Sequence, residues 1–191
     1  MPEARMKRVY LAGPEVFLPN AMDVGMAKVE LAREAGFAGL FPLDQQLDLA
    51  GLSKLEQARR ISLANEALMR SADLLIANLT PFRGVSMDSG TAFEVGFMRA
   101  LGRPVLGYTN VQGDYRGRAE AFRRRGIPPA DSDAPDFEIE DFGMAENLMI
   151  AVAILESGGR IVEGSAPAGS EMADLTAFRQ CLDEAHRLLL V

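Results

Sequence analysis

The chain has 191 residues, of which 48% are hydrophobic and 25% are charged, and its formal net charge is −7. This length fits one domain with a full core, and no apolar run approaches the roughly 20 residues that a membrane span needs. An acidic chain lacks the basic footprint that a nucleic-acid polymer or an anionic membrane requires, so we expect neither as its main partner.

The chain contains one cysteine, Cys181, and one histidine, His186. This excludes an internal disulfide and leaves too few ligands for a Cys/His metal cage within one chain. The N-terminus enters a strand-like run directly, without the apolar region of an export signal. We therefore expect a cytoplasmic protein without zinc chemistry.

Short apolar runs rich in branched residues alternate with helical patterns along the chain, which is typical of a parallel sheet covered on both faces. The predicted strands are 8–13, 39–43, 73–79, 103–109 and 160–164. The predicted helices are 21–35, 55–71, 89–101, 145–156 and 172–189, with Gly36 and Gly102 as stop signals. The sequence thus predicts a single domain over residues 1–191, with a doubly wound five-stranded parallel sheet.

Two segments fall outside this alternation. Residues 110–143, rich in Gly, Asp, Pro and Arg, predict a long loop insertion, and residues 164–170 predict a flexible linker to the last helix. In open parallel sheets, ligands bind beyond the carboxyl ends of the strands, near the switch in strand order. We expect the segments 12–17, 42–46 and 80–90, together with the loop after the fourth strand, to converge there.

The stretch MDSGTAFEVGFMRALG, residues 87–102, places a carboxylate inside an apolar helical stripe. Glu94 shares a helix face with Gly90 and Thr91 one turn earlier and with Phe97 one turn later. Such a carboxylate is either a buried acid satisfied by a tyrosine or a backbone amide, or a functional group. Because no histidine or cysteine lies near any motif, carboxylates are the remaining candidates for acid, base or nucleophile.

Asp88 and Ser89 precede this helix, and either can cap it, which gives Asp88 a structural interpretation. The alternative is chemical, because paired carboxylates acting on one bond are the usual machinery of glycosidic cleavage. Gly90 and Thr91 keep the first turn slim, so that a ligand can approach the carboxylate of Glu94.

Polar side chains within the first strand and after the second offer further candidates. Tyr10 lies mid-strand, where its phenol can donate a hydrogen bond to a carboxylate or its ring can pack in the core. Asp44, Gln45 and Gln46 can read the edge of a nucleobase by paired hydrogen bonds, or they are turn residues.

Five segments of the chain resemble nucleoside 2-deoxyribosyltransferases in their order and spacing, over residues 8 to about 163. They are YLAGPEVF, PLDQQ, SADLLIANLTPFRG, MDSGTAFEVGFMRALGRPVLGYT and ENLMI. The most specific piece is Asp88 placed six residues before Glu94, with Gly96 two residues further on. The resemblance implies a flavodoxin-like α/β fold with helices on both faces of the sheet.

The resemblance also implies a reaction, in which 2-deoxyribose moves from a 2′-deoxynucleoside to an acceptor nucleobase. Glu94 is then the nucleophile that attacks C1′, Asp88 contacts the leaving base and moves its proton, and Tyr10 orients the nucleophile. The implied substrate-binding residues are Gly13, Phe17, Asp44, Gln46, Asn65, Gly90, Asn147 and Met149. The last two match residues that reach into a neighbouring subunit's site, with the asparagine on the sugar 5′-hydroxyl, which implies a homo-oligomer with shared sites.

The chain departs from the family pattern at two places. Asn65 stands where some members have an aspartate, so the proton handled by that aspartate cannot be handled identically. Some members end near the site and use their terminal carboxylate, whereas this chain continues through another helix.

Three alternatives remain open at the sequence level. A 2′-deoxynucleoside 5′-monophosphate N-hydrolase uses the same scaffold, although Glu15 is expected to repel a phosphate near the first loop, with Arg83 as a counter-argument. A phosphoribohydrolase of the cytokinin-activating kind shares the Gly-Thr-x-x-Glu of residues 90–94 but not the preceding Pro-Gly-Gly. A non-catalytic nucleotide sensor is the alternative from another class.

Overall fold

Five strands pair into one all-parallel sheet in a computed structural model that describes residues 5–44, 47–125 and 138–189. They are β1 (Lys7–Ala12), β2 (Phe37–Leu40), β3 (Leu74–Asn78), β4 (Val105–Thr109) and β5 (Ile161–Glu163). Their order across the sheet is β2-β1-β3-β4-β5. This is the flavodoxin-like order, and its direction reverses between β1 and β3, where such sheets form a crevice.

In the described part of the chain, six α-helices flank the strands. They are α1 (Ala21–Glu34), α2 (Lys54–Ser71), α3 (Ser89–Ala100), α4 (Tyr115–Arg124), α5 (Leu148–Glu156) and α6 (Thr176–Leu189). Two short 3-10 turns, Pro14–Phe17 and Pro42–Asp44, follow β1 and β2. Among the described residues, no helix is both long and apolar enough to cross a membrane.

The helices cover both faces of the sheet, as predicted. Val9 and Leu11 of β1 belong to the apolar cluster beneath α1 and α6, while Tyr10 belongs to the cluster beneath α2, α3 and α5. This alternation follows from the strand geometry, because successive side chains point to opposite faces. It fixes Tyr10 on the side of the sheet that carries α3.

The second strand differs from its prediction, since it spans Phe37–Leu40 rather than 39–43. Gly36, with φ of 86°, ends the turn after α1 and lets the strand begin directly behind it. Pro42 has no N–H for a strand ladder and opens the 3-10 turn instead.

Two helices begin later than predicted, for local polar reasons. Asn147 caps α5, so that this helix starts at Leu148 rather than at 145. The side chain of Asp174 accepts the Thr176 N–H at 2.8 Å, and α6 starts at Thr176 rather than at 172.

The segment 110–143 is not all loop, because it contains α4, capped by Asp114. Residues 126–137 of this segment lie outside the described part. The start of the predicted flexible linker 164–170 is held by two backbone hydrogen bonds. The Gly164 N–H donates to the Thr109 carbonyl at 2.7 Å, and the Ala166 N–H donates to the Asn110 carbonyl at 3.0 Å.

Candidate active site

Glu94 and Tyr10 form a hydrogen-bonded pair between α3 and β1. The Tyr10 hydroxyl donates to Oε1 of Glu94 at 2.6 Å. Tyr10 is fully buried, and the alternation along β1 directs its side chain towards α3. Burial and the neighbouring negative charge of Glu94 raise the pKa of the Tyr10 phenol well above its usual range, so that it stays a donor.

Burial raises the pKa of the Glu94 carboxyl from its ordinary 4.5 to about 7. The hydrogen bond from Tyr10 acts in the opposite direction, because it stabilises the ionised carboxylate. The negative charges of Asp88 and Glu15 add smaller upward contributions. Glu94 therefore changes its protonation state near neutral pH, the range in which acid–base and nucleophilic groups are most effective.

Asp88 caps α3, as the sequence predicts. Its Oδ2 accepts hydrogen bonds from the Thr91 N–H at 3.0 Å and the Thr91 hydroxyl at 3.2 Å. Its other oxygen, Oδ1, has no hydrogen-bond partner among the described residues. The cap uses one side of the carboxylate, and the second side is left for a ligand.

A cleft of about 300 Å³ opens at the carboxyl ends of β1 and β2, next to the N-terminus of α3. Six of the residues predicted for the site line it: Gly13, Phe17, Asn65, Asp88, Gly90 and Glu94. The remaining lining residues are Val16, Pro42, Leu43, Ile61 and Thr91. The cleft has the size of a small-molecule site and combines an apolar wall with a few convergent polar groups.

A second groove of about 420 Å³ runs between α2 and α3. It shares Ile61, Asn65, Gly90 and Glu94 with the first cleft, so that Glu94 lies where the two meet. A glutamate with only a structural role in the core would line neither the cleft nor the groove. The position of Glu94 thus favours the functional interpretation over that of a satisfied buried acid.

Phe17 offers an aromatic surface at the cleft. Its ring stacks on that of Phe82, with centroids 5.5 Å apart and planes 13° from parallel, yet it is 53% exposed. The guanidinium of Arg83 lies 5.1 Å from the Phe17 ring and 4.6 Å from the Phe82 ring. Arg83 has a φ of 55°, a conformation that is uncommon and strained for a residue with a side chain.

Glu15 does not face the cleft, which corrects the expectation that it would repel a bound phosphate. It is buried and forms an ion pair with the buried Lys28. It also accepts hydrogen bonds from the Asn78 amide at 2.9 Å and the Tyr108 hydroxyl at 3.0 Å. A Cβ on Gly13 would lie 1.9 Å from its second carboxylate oxygen, so the glycine leaves room for this buried pair behind the cleft wall.

Asn147 and Met149 lie outside the cleft of their own chain. Oδ1 of Asn147 accepts the Met149 N–H at 3.0 Å, and its Nδ2 donates to Oε2 of Glu140 at 2.8 Å. Met149 is 70% exposed on α5. The resemblance assigns both residues to a neighbour's site, and a single chain leaves that assignment a prediction.

The second-strand loop is only partly described. Gln46 lies outside the described residues, as does the side chain of Asp44, so their predicted contacts with a base remain predictions. Pro42 and Leu43, immediately before them, line the cleft. Within residues 5–44, 47–125 and 138–189, no group of three or more His, Cys, Asp or Glu side chains could hold a metal ion.

The apolar wall of the cleft was not predicted from the sequence. Leu43 and Ile61 are 43% and 42% exposed, although both are large and apolar. A signal was present for Ile61, which lies in the polar run EQARRISLANE of α2. An apolar side chain there has no core to reach, which is typical of a residue that lines a binding surface.

The family model of nucleoside 2-deoxyribosyltransferases matches residues 9–149. The chain belongs to this family. The match extends from β1 to the start of α5, so that it includes Tyr10, Asp88 and Glu94. The deoxyribosyltransferase resemblance drawn from the sequence motifs is thereby confirmed.

The chain is also similar to individual proteins. A 2-desoxiribosyltransferase from Leishmania mexicana is 30% identical, with 75% of this chain and 85% of that chain covered and a TM-score of 0.55. A conserved protein from Enterococcus faecalis shares the fold over 95% of this chain and 99% of its own, at 20% identity and a TM-score of 0.59. An uncharacterized protein of Schizosaccharomyces pombe is 32% identical over 165 residues, which is 79% of this chain and 78% of the relative.

Proposed function

We propose that the protein transfers 2-deoxyribose from a 2′-deoxynucleoside to an acceptor nucleobase through a covalent ester on Glu94. The observation that carries this proposal is the Tyr10–Glu94 pair, with Glu94 at the junction of the cleft and the second groove and Asp88 on the wall of the cleft. The family supports a deoxyribosyltransferase, and the geometry supports the assignment of the individual roles.

In the first half-reaction, an oxygen of the ionised Glu94 forms a bond to C1′ of the donor. The C1′–N bond breaks with its electron pair going to the base, and Asp88 moves a proton to that base. In the second half-reaction, Asp88 takes the N–H proton of the acceptor base, whose nitrogen attacks C1′. The ester bond then breaks, and the Glu94 carboxylate is regenerated.

A modest site suffices for this chemistry. A 2′-deoxy sugar lacks the electron-withdrawing hydroxyl that destabilises an oxocarbenium-like transition state. Transfer requires the ester to survive until the second base arrives, so water has to be poorly placed. Val16, Leu43 and Ile61 give the cleft an apolar wall that suits this requirement. No cofactor enters the proposed steps.

The proposed assembly is a homo-oligomer in which Asn147 and Met149 complete a neighbouring site. Met149, Val152 and Leu155 make the outer side of α5 apolar and exposed, which is typical of a surface covered by a partner. Light scattering at assay concentration tests this, because a fully active monomer would contradict it. We further propose a cytoplasmic location and a single domain, in which α6 shares an apolar cluster with β1.

The direct test of the activity is incubation with 2′-deoxyinosine and adenine, followed by chromatography. We expect 2′-deoxyadenosine and hypoxanthine in equal amounts. Hypoxanthine without a new nucleoside would mean hydrolysis. An unchanged mixture would contradict the transferase, and 2′-deoxyinosine monophosphate would then distinguish a monophosphate hydrolase, which cleaves it, from a non-catalytic nucleotide-binding sensor, which does not.

A second candidate is the 2′-deoxynucleoside 5′-monophosphate N-hydrolase, and Arg83 is the observation that favours it. This exposed guanidinium rests on Phe17 at the cleft and has no carboxylate partner among the described residues. Since Glu15 is paired with Lys28, it is a weaker obstacle to a phosphate than the sequence suggested. A preference for 2′-deoxyinosine monophosphate over 2′-deoxyinosine, lost in Arg83→Met, would favour this candidate over the transferase.

A further inference from the structure

A buried carboxylate lies behind the loop that ends in Asp88. Glu146 is fully buried, immediately before the cap of α5. Its Oε1 accepts hydrogen bonds from the Ser86 hydroxyl at 2.7 Å and the Asn147 N–H at 2.8 Å, and its Oε2 accepts the Met87 N–H at 3.0 Å. One side chain thus joins the β3–α3 loop to the start of α5.

Arg118 of α4 strengthens the same junction. Its guanidinium lies 3.7 Å from Oε2 of Glu146 and is largely buried. It donates to the carbonyls of Val85 at 2.9 Å, Gly113 at 2.8 Å and Ala145 at 2.6 Å. The paired charges are therefore surrounded by fixed hydrogen-bond partners, the condition under which a buried ion pair is tolerated.

We infer that Glu146 is a positioning residue for Asp88, acting through the Ser86–Met87 backbone, and this inference rests on the proposed function. Asp88 directly follows Met87, whose N–H is bound to Glu146. The carboxylate of Asp88 must keep one oxygen on the Thr91 cap while the other meets the base. A small displacement of the Asp88 backbone would move the second oxygen away from the base. Misplacement of a reacting group by about 1 Å can cost a large part of its catalytic effect.

Glu146→Gln is the informative substitution, because an amide at this position cannot accept hydrogen bonds from both backbone N–H groups that the carboxylate binds. The two oxygens accept from two backbone N–H groups, those of Met87 and Asn147, and neither group can turn into an acceptor. A glutamine has one oxygen and one NH₂, so one backbone N–H loses its partner whichever way the amide is placed. Glu146→Asp is the second variant, which keeps the charge beside Arg118 but shortens the reach.

Comparing kcat/KM for two donors with different leaving bases distinguishes a positioning role of Glu146 from a merely structural one. 2′-Deoxyinosine needs a proton on its departing base, whereas 7-methyl-2′-deoxyinosine carries a positive charge and releases a neutral base without one. A defect that acts through Asp88 lowers kcat/KM for the first donor only, because the second does not use the proton. Asp88→Asn provides the reference pattern.

Glu120→Gln is the matched control. Glu120 is likewise paired with an arginine, with 2.8 Å between its Oε1 and Nε of Arg116, but it lies on the outer surface of α4 and does not contact the loop. We expect this variant to match the wild type with both donors. Melting temperatures of all variants show whether each one folds.

The expected result is that Glu146→Gln, or Glu146→Asp if the amide variant does not fold, loses about tenfold or more in kcat/KM with 2′-deoxyinosine and about twofold or less with the 7-methyl donor. Added to Asp88→Asn, it should cost little more, because both changes remove one function. Equal losses with both donors, or full additivity with Asp88→Asn, would overturn the inference while leaving the proposed function intact. A wild type inactive with both donors would overturn the proposed function and the inference together.

Discussion

The phenol of Tyr10 donates a 2.6 Å hydrogen bond to Glu94, although the two residues are 84 positions apart in the chain. The contact joins a buried strand residue to a helix residue on the cleft, and it opposes the rise in the Glu94 pKa that burial causes. Several consequences of this pair can be measured.

Tyr10→Phe should weaken the nucleophile. Without the phenol, the pKa of Glu94 rises above about 7, and its carboxylate loses the group that fixes its orientation. A hydrogen bond to a charged group is worth about 1.5 to 3 kcal/mol, so we expect kcat/KM at neutral pH to fall about 10- to 100-fold.

Tyr108→Phe is the control for this substitution. Tyr108 is also a buried strand tyrosine that donates to a buried glutamate, at 3.0 Å, but its partner is Glu15 rather than Glu94. Its loss should leave the pH profile nearly unchanged. An equal fall in both variants would show that the effect is one of packing.

The activity of the wild type should rise with pH. Attack on C1′ requires the ionised form of Glu94, and the carboxyl has a pKa of about 7 in the free protein. With 7-methyl-2′-deoxyinosine, whose base leaves without a proton from Asp88, we therefore expect kcat/KM to increase about tenfold per pH unit in the acid range and to level off above about pH 7. A profile that is flat from pH 5 to 8 would contradict Glu94 as the titrating nucleophile.

The same raised pKa predicts an effect on stability with a defined sign. Folding favours the protonated form of Glu94, so its contribution is greatest below pH 4.5 and is lost as the pH rises to about 7. The Glu94→Gln side chain cannot ionise, so this variant does not lose stability as the pH rises, and its amide oxygen still accepts the hydrogen bond from Tyr10. At pH 8 the variant should be more stable than the wild type by roughly 1 to 3 kcal/mol, allowing for contact with water in the cleft.

Denaturant unfolding at pH 4.5 and pH 8 measures this difference. The difference in the free energy of unfolding between Glu94→Gln and the wild type should be small at pH 4.5 and larger at pH 8. A gap of the same size at both values would mean that the carboxyl is not destabilised by ionisation.

Gly90→Ala should separate activity from stability. A Cβ at residue 90 would lie 3.0 Å from Oδ2 of Asp88 and would press on the proposed proton-handling carboxylate. Alanine favours the helix, so we expect unchanged or higher stability, by less than about 1 kcal/mol, together with reduced kcat.

Gly96→Ala is the matched change on the same helix. A Cβ there has no neighbour within 4 Å among the residues that the structure describes, so this variant should keep its activity while gaining helix stability. A loss of activity in Gly90→Ala that tracked a loss of melting temperature would contradict the steric explanation.

The parts of the fold predicted best depend on local patterns. The continuous apolar run of β3 and the Asp88 cap of α3 identify their elements because burial and capping leave direct marks on neighbouring residues. Helix α4 was missed because it buries no residue, so its sequence lacks an apolar stripe to distinguish it from a loop. The prediction extended the second strand too far because the apolar run continues past the strand end through Phe41 to Pro42, where the next turn begins.

The candidate site was predictable where one short segment carries it. Asp88, Gly90 and Glu94 lie within seven consecutive residues, and the helix period places them together. The Glu146 network was not predictable, because Glu146 and its partners Ser86, Met87 and Arg118 lie on three separate segments that only the fold brings into contact. The burial of Glu15 was missed for the same reason, since its partner Lys28 lies on another element.

The covalent ester on Glu94 is the central claim, and mass spectrometry of the digested protein tests it most directly. The protein is mixed with 2′-deoxyinosine without an acceptor base, quenched in acid within one turnover and digested. We predict a mass gain of one deoxyribosyl group on the peptide that contains Glu94, absent from Glu94→Ala and discharged when adenine is added before the quench. Rapid transfer of deoxyribose with no adduct on that peptide, or full turnover by Glu94→Ala, would contradict the account.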